Sequence, residues 1–272
     1  MLRMSLLKKA LAGILAVLVI GYIGIAIRVA TYNNTTTPRP GTLGSLQTIA
    51  IFGASGTAGD GILKSSLASP HVGKIHVFTR RETPRIAKGV ASGKVEMTIH
   101  MDYLDYGAIH EKLVDVDAVF WAIGLSSIGM EEDAYRRIHV DFPVQFLTEW
   151  LSVSSNETAS FHYISSSDIS EDASAMWARV KVEAENALFD LAEGTAIQVI
   201  AYRPDYIGPT VEEAHLGQRL LYGFFAPLGV AVKATQIGQS MLEVTLRGDE
   251  FENGDKLSTW RIKSFSDAYE TQ

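Results

Sequence analysis

Residues 51–63 read IFGASGTAGDGIL: the apolar end of a strand, then Gly53, Gly56 and Gly59 at a spacing of three, then the opening of a helical pattern. A side chain at such a turn would hold the backbone away from a pyrophosphate, and the free N–H groups at the helix start attract its charge. A turn that only needs positive φ also selects glycine. The placement between a strand and a helix is what points to a dinucleotide. The loop residues expected to touch it are Gly53, Ser55, Gly56, Thr57, Ala58 and Gly59.

Outward from this turn, apolar runs of strand length alternate with helical patterns, the signature of a parallel sheet with crossover helices. Strands are expected over 48–52, 74–79, 95–100, 118–122, 161–165 and 197–202, and helices over 57–67, 106–113, 132–151 and 173–192. The fold class is therefore α/β, a doubly wound, mostly parallel sheet of the Rossmann type whose ligand crevice lies at the carboxyl ends of the strands. After Tyr202 the alternation fades into a short substrate-side extension from about residue 205. It holds expected helices near 217–225 and 236–247 and a final strand near Trp260.

About twenty residues beyond the glycine turn, a fold that prefers NAD presents a carboxylate to the ribose 2′-hydroxyl. Here the second strand ends HVFTRR, and Arg80 and Arg81 suit a 2′-phosphate instead, because guanidinium makes charge-assisted, often bidentate bonds to phosphate oxygens. NADP(H) is thus expected ahead of NAD(H), although a solvated arginine pair gives the same sequence. Asp102, past the third strand, and Ala122, Ile123 and Gly124, at the end of the fourth, fall where the adenine end and the coenzyme backbone should lie.

The chain begins differently. Ala10 to Ile27, ALAGILAVLVIGYIGIAI, contains no charge and is bounded by Lys8-Lys9 and Arg28. As a helix it spans about 27 Å, close to a hydrocarbon core of about 30 Å. Residues 1–30 are read as a single-pass membrane anchor. A cleaved signal peptide is the rival, with a poor small-x-small site around Ile27-Arg28-Val29-Ala30. Residues 31–46, rich in Thr, Asn, Pro and Gly, read as a flexible linker, and 47–272 as the nucleotide-binding domain. Positive charge is slightly heavier before the helix than after it, a small bias toward a non-cytoplasmic body, where the sequons at Asn33, Asn34 and Asn156 would permit glycosylation; the sequence leaves the side of the soluble domain open.

Composition excludes several alternatives. At 47% hydrophobic the chain can build a core, and its net charge of −7 disfavours nucleic acid. The cluster Arg80, Arg81, Arg85 and Lys88 is too small, and too poor in aromatic neighbours, to reverse that. The absence of cysteine removes disulfides, thiolate zinc sites and thiol nucleophiles. The seven histidines include no i, i+4 pair, so no metal site is expected.

The ordered series GASGTAG (53–59), TRR (79–81), MDY (101–103), DAVFWAIG (117–124), YISSSD (163–168), Lys181 within VKVEAE, and YRPDYIGP (202–209) resembles the short-chain dehydrogenase/reductase superfamily. The similarity is to its atypical group, which includes the Tat-interacting oxidoreductase-like proteins. The resemblance implies nicotinamide-coenzyme contacts from Lys181 and from Tyr202, Arg203 and Pro204. It also implies a Tyr acid, a Lys four residues later and a Ser at the preceding strand end. Lys181 and Ser165 or Ser166 match, but Trp177 stands where the tyrosine would, and none of the ten tyrosines has Lys four residues on. An indole N–H donates a hydrogen bond but does not give up its proton at useful pH.

Three readings remain open from the sequence. One is an NADPH-dependent binding or sensing module with Trp177 as a platform. Another is an oxidoreductase in which Tyr206, Tyr163, Asp168 or an ordered water supplies the proton, Tyr206 being the first to test. The last is a structural tethered domain with an empty crevice. The segment GFFAPLGVAV (223–232) implies a small apolar substrate.

Overall fold

The computed structural model describes residues 2–32 and 46–271. The linker expected over 31–46 lies almost wholly outside the described residues. The first element is helix α1 (Leu2–Ala30), which contains the charge-free stretch, and its window Lys8–Ala30 is long and apolar enough to cross a membrane.

The body then alternates as its apolar runs dictate. In order come β1 (Leu46–Phe52), α2 (Thr57–Ala68), β2 (Val72–Thr79), α3 (Pro84–Ala91), β3 (Val95–Ile99), a 3-10 turn (Gly107–Lys112) and β4 (Ala118–Trp121). A helical run follows as α4 (Glu132–Arg136), a π turn (Arg137–Asp141) and α5 (Phe142–Val153). After it come β5 (Ala159–Ile164), α6 (Met176–Ala192) and β6 (Ile197–Arg203). The remainder comprises β7 (Tyr206–Gly208), α7 (Leu216–Phe225), β8 (Ala231–Lys233), α8 (Ala234–Arg247), β9 (Lys256–Ser258) and α9 (Thr259–Glu270).

Seven strands form one sheet in the order β3-β2-β1-β4-β5-β6-β9, and every pairing is parallel. The six expected strands are present with bounds within two residues. Strand order reverses between β1 and β4, which places the topological switch point, and hence the crevice, directly over the glycine turn. Both faces of the sheet are covered, so alternate strand residues feed two cores. Ile49, Ile51, Ile75, Val77 and Phe120 pack under α2 and α8, whereas Phe52, Phe78, Trp121 and Phe161 pack with Phe146 and Trp150 of α5. The doubly wound fold is thus the one the alternation implies.

Several elements differ from expectation: the helix expected over 106–113 is the 3-10 turn Gly107–Lys112, and β7 and β8, which pair in parallel as a separate two-stranded sheet, were not anticipated. Trp260 is in α9, not in a final strand; the strand is Lys256–Ser258, and Ser258 caps a helix that buries Ile262, Phe265 and Ala268 on one face. The helix expected over 132–151 is broken by the π turn, which holds His139 and Val140 in the interior. The short α3 was not anticipated, although Thr83 caps it and Pro84 opens it.

Candidate functional site

At the end of β1, Gly53 has φ of +80°, and a Cβ there would stand 2.6 Å from the Ala122 carbonyl of β4's exit. A Cβ on Gly59 would fall on the Gly53 carbonyl oxygen. Both glycines are therefore demanded by the turn itself. Gly56 is different: its φ is −98°, and a Cβ would meet only the Gly53 oxygen, at 3.4 Å. The protein has room for a side chain at Gly56, and in its absence the backbone lies bare at the crevice wall. Gly56 is also the N-cap of α2 with no side-chain cap, leaving the first-turn N–H groups of Thr57 and Ala58 without helical carbonyls, and both residues line the crevice.

One half of the crevice, a cavity of about 290 Å³, runs from Gly53, Ser55 and Gly56 past Thr79, Arg80, Arg81 and Tyr103 to Ile123 and Gly124. Thr79 shapes the strand exit: its hydroxyl donates to the Arg81 carbonyl at 2.9 Å and accepts from the Arg81 N–H at 3.3 Å. Arg80 and Arg81 are exposed at this wall and, among the described residues, neither engages a carboxylate. Arg85 turns away, donating Nε to Asp60 at 2.6 Å and Nη2 to Glu212 at 3.3 Å. Asp102 stands outside the cavity wall, where its carboxylate accepts the Leu104 N–H at 3.0 Å; Tyr103 lines the cavity in its place.

The two halves share Gly56 and Ala122 through Leu125. The second, about 570 Å³, is where the chemistry-bearing groups converge: Ser165 and Ser166 at the end of β5, Trp177 and Lys181 from α6, Tyr135 from α4, His139 from the π turn, and Pro204, Asp205 and Ile207 after β6. The Ser165 hydroxyl is buried and, among the described residues, has no hydrogen-bond partner, although its backbone N–H is held by the Tyr202 carbonyl at 2.7 Å. A hydroxyl so placed at a cavity wall can donate to, or accept from, a polar group that enters the cavity.

Lys181 lies one helical turn after Trp177, its Nζ donating to the Ile164 carbonyl at 2.9 Å and to the Tyr163 hydroxyl at 3.2 Å. Burial lowers its pKa to about 7, with Glu185 pulling the other way. Tyr163 donates in turn to the His139 carbonyl at 3.0 Å, and burial raises its pKa far above the phenol range, so it stays protonated within the core. Trp177, half-buried at the start of α6, forms part of the cavity wall.

Several sequence candidates stand beside this wall rather than in it. Tyr206 on β7 packs against Phe225, ring centroids 5.7 Å apart, while its neighbours Asp205 and Ile207 line the cavity. Tyr202 is fully buried with its hydroxyl 2.9 Å from His162 Nδ1, and Arg203 donates to the buried Glu185 at 2.9 Å. Asp168 is exposed on a turn at φ of +51°. Pro204, by contrast, is in the wall.

Sequence reasoning missed Tyr135 and His139. Their rings lie 4.0 Å apart on consecutive turns of the helical run, both facing the cavity. Burial lowers His139 to about 3, and the nearby Lys181 adds to that, so the imidazole is neutral; its Nε2 sits 3.3 Å from both the N–H and the carbonyl of Leu125. Burial pushes the Tyr135 phenol up to about 12. The one sequence signal for the pair was their four-residue spacing, which a core helix shows equally well.

No protein-family model matches the sequence, and no curated protein sequence matches it either. Solved structures do share the fold. A short-chain dehydrogenase/reductase from Saccharomyces cerevisiae is 14% identical with a TM-score of 0.59, over 78% of this chain and 96% of that one. A 3-oxoacyl-(acyl-carrier protein) reductase from Brucella melitensis, solved with NAD, is 15% identical with a TM-score of 0.60, over 81% and 98%. A UDP-glucuronic acid 4-epimerase from Bacillus cereus, also solved with NAD, is 14% identical with a TM-score of 0.60, over 78% and 76%.

Proposed function

We propose that this chain, built on the short-chain dehydrogenase/reductase fold, is a membrane-anchored NADP(H)-dependent oxidoreductase acting on a small apolar carbonyl compound. The observation that carries the reading is the continuity of one crevice from Gly56 to Ser165. One end has a bare backbone where only an approaching ligand needs glycine; the other has an unpartnered buried hydroxyl beside a buried lysine. The fold neighbours solved with NAD support a nicotinamide dinucleotide. Arg80 and Arg81 support the phosphorylated form, because two free guanidinium groups at the end of β2 match a 2′-phosphate and no carboxylate stands there for a 2′-hydroxyl. Anchoring rests on the apolar surface of α1, which the body leaves exposed along most of its length.

In this reading the coenzyme, when bound, supplies hydride to the carbonyl carbon. Thr57 and Ala58 hold its diphosphate with backbone N–H groups. Ser165 Oγ donates to the carbonyl oxygen and fixes the face presented, and Lys181 supports the ribose from the floor of the site. The proton for the resulting alkoxide comes from Tyr135, the phenol that lines the reaction half. Tyr135→Phe should lower kcat at least about 100-fold with NADPH affinity unchanged, the usual worth of a positioned acid. Full turnover of apolar aldehydes and ketones by Tyr135→Phe would remove Tyr135 from that role.

A second reading is favoured by Trp177. An indole at the cavity wall four residues before Lys181 leaves the site without a phenol at that position, as in a coenzyme-dependent binding or sensing module. The two readings separate on turnover: NADPH binding with no carbonyl reduction, and reduction created by Trp177→Tyr, identifies the module.

A further inference from the structure

Helix α7 has no buried residue, and its outer face is apolar. Leu216, Leu220 and Phe224, at i, i+4 and i+8, are 73%, 67% and 55% exposed, and Leu221 flanks them. Gln218, Tyr222 and Phe225, on the opposite side, are the residues turned to the body. A stripe of this kind normally faces a core. Here it faces outward beside α1.

The contact between the two helices fixes its depth. Tyr22 of α1 donates its hydroxyl to the Phe224 carbonyl at 3.1 Å and stacks on the Phe224 ring at 5.6 Å. Tyr22, Ala26 and Val29, on one face, are the partly covered residues of α1, and Val29 meets Gly229 beyond the end of α7. Tyr22 is six residues inside the charge at Arg28, about 9 Å along the axis. A bilayer that takes in α1 as far as Arg28 therefore also takes in Phe224. Tyr32 and Trp260, their rings 4.9 Å apart just past the span, are placed as interfacial aromatics are.

We infer that α7 is a lipid-facing helix that lies in the surface of the bilayer α1 crosses, with Leu216, Leu220 and Phe224 among the acyl chains. The inference rests on the anchoring reading of α1. It also brings the β7–α7 side of the crevice to the lipid boundary, since the Tyr206 ring packs on Phe225 and the neighbouring Ile207 lines the reaction half.

The chain has no cysteine, so single reporters can be placed without background. The full chain is reconstituted in phosphatidylcholine vesicles as three variants, each carrying one environment-sensitive fluorophore: Leu220→Cys on α7, Leu18→Cys on α1 and Lys88→Cys on α3. Acyl-chain nitroxide lipids should reduce emission at 220 about twofold or more, as at 18, and leave 88 unchanged, as expected of an apolar helix face immersed below the headgroups. Quenching at 18 with none at 220 overturns the inference and keeps the anchor. Shielded emission at 220 that ignores the nitroxide and depends on protein density assigns the face to a second copy, and also overturns it. No quenching at either position removes the anchor and, with it, the inference.

Discussion

Lys181 lies in an environment where its own charge is costly. Burial brings it from 10.5 to about 7 in the folded chain, so between those values the unfolded chain holds one more proton than the native one. Folding stability must therefore rise with pH across that window, and below about 7 the penalty is present in full. Lys181→Met should remove this rise. Denaturant unfolding of both proteins at pH values between 7 and 10.5 checks it; an unchanged slope in the variant would show that Lys181 titrates normally. The same residue shows what sequence can carry. Its spacing from Trp177 was legible, because one helix sets it. Its hydrogen bonds to Tyr163 and Ile164 join residues 17 and 18 positions away and depend on how α6 docks on β5. The three glycines looked alike in sequence, and only the atoms around each reveal that Gly53 and Gly59 serve the turn while Gly56 leaves space.

Among the elements, α2 is the hub. Its buried Asp60 accepts from Arg85 of α3 at 2.6 Å and from the Thr210 hydroxyl at 2.6 Å, while Lys64 and Arg85 both hold Glu212. One carboxylate thus ties α3 and the segment after β7 to the helix whose N-terminus forms the crevice. Asp60→Ala leaves the buried Thr210 hydroxyl without its acceptor and the largely buried Arg85 guanidinium with only its longer bond to the exposed Glu212, and should cost about 3 kcal/mol, the scale of breaking a buried pair from one side. Thermal or denaturant unfolding measures this; a loss under about 1 kcal/mol would mean that Glu212 and solvent suffice for Arg85. Strands were legible because β-branched runs with both faces buried admit few other readings. The elements missed were those set by context. The basic residues that suggested a surface cluster obscured α3, and the isolated apolar residues Leu257, Trp260 and Ile262 fit a short strand as well as the start of α9 that Ser258 caps. Periodicity continued through 132–151 while the backbone did not: a π turn over Arg137–Asp141 interrupts the run, and no sequence pattern marks it.

At the scale of the whole molecule, the apolar N-terminal segment and an acidic body meet at two aromatic contacts more than 200 residues apart in sequence, Tyr22 with Phe224 and Tyr32, just past α1, with Trp260. No local pattern signals a contact at that separation, which is why the apolar segment at 223–232 suggested only a substrate wall. The crevice depends on neither contact: it is made where β1 and β4 diverge, and its occupant is the central claim. Calorimetric titration of the full-length protein in detergent with NADPH and NADH tests that claim most directly. The account predicts saturable binding, with NADPH tighter than NADH by about 1.5 to 3 kcal/mol, the worth of hydrogen bonds to a charged group. That preference should disappear in Arg80→Ala, and all binding should disappear in a folded Gly56→Val. No heat with either coenzyme, or undiminished binding by Gly56→Val, would contradict it.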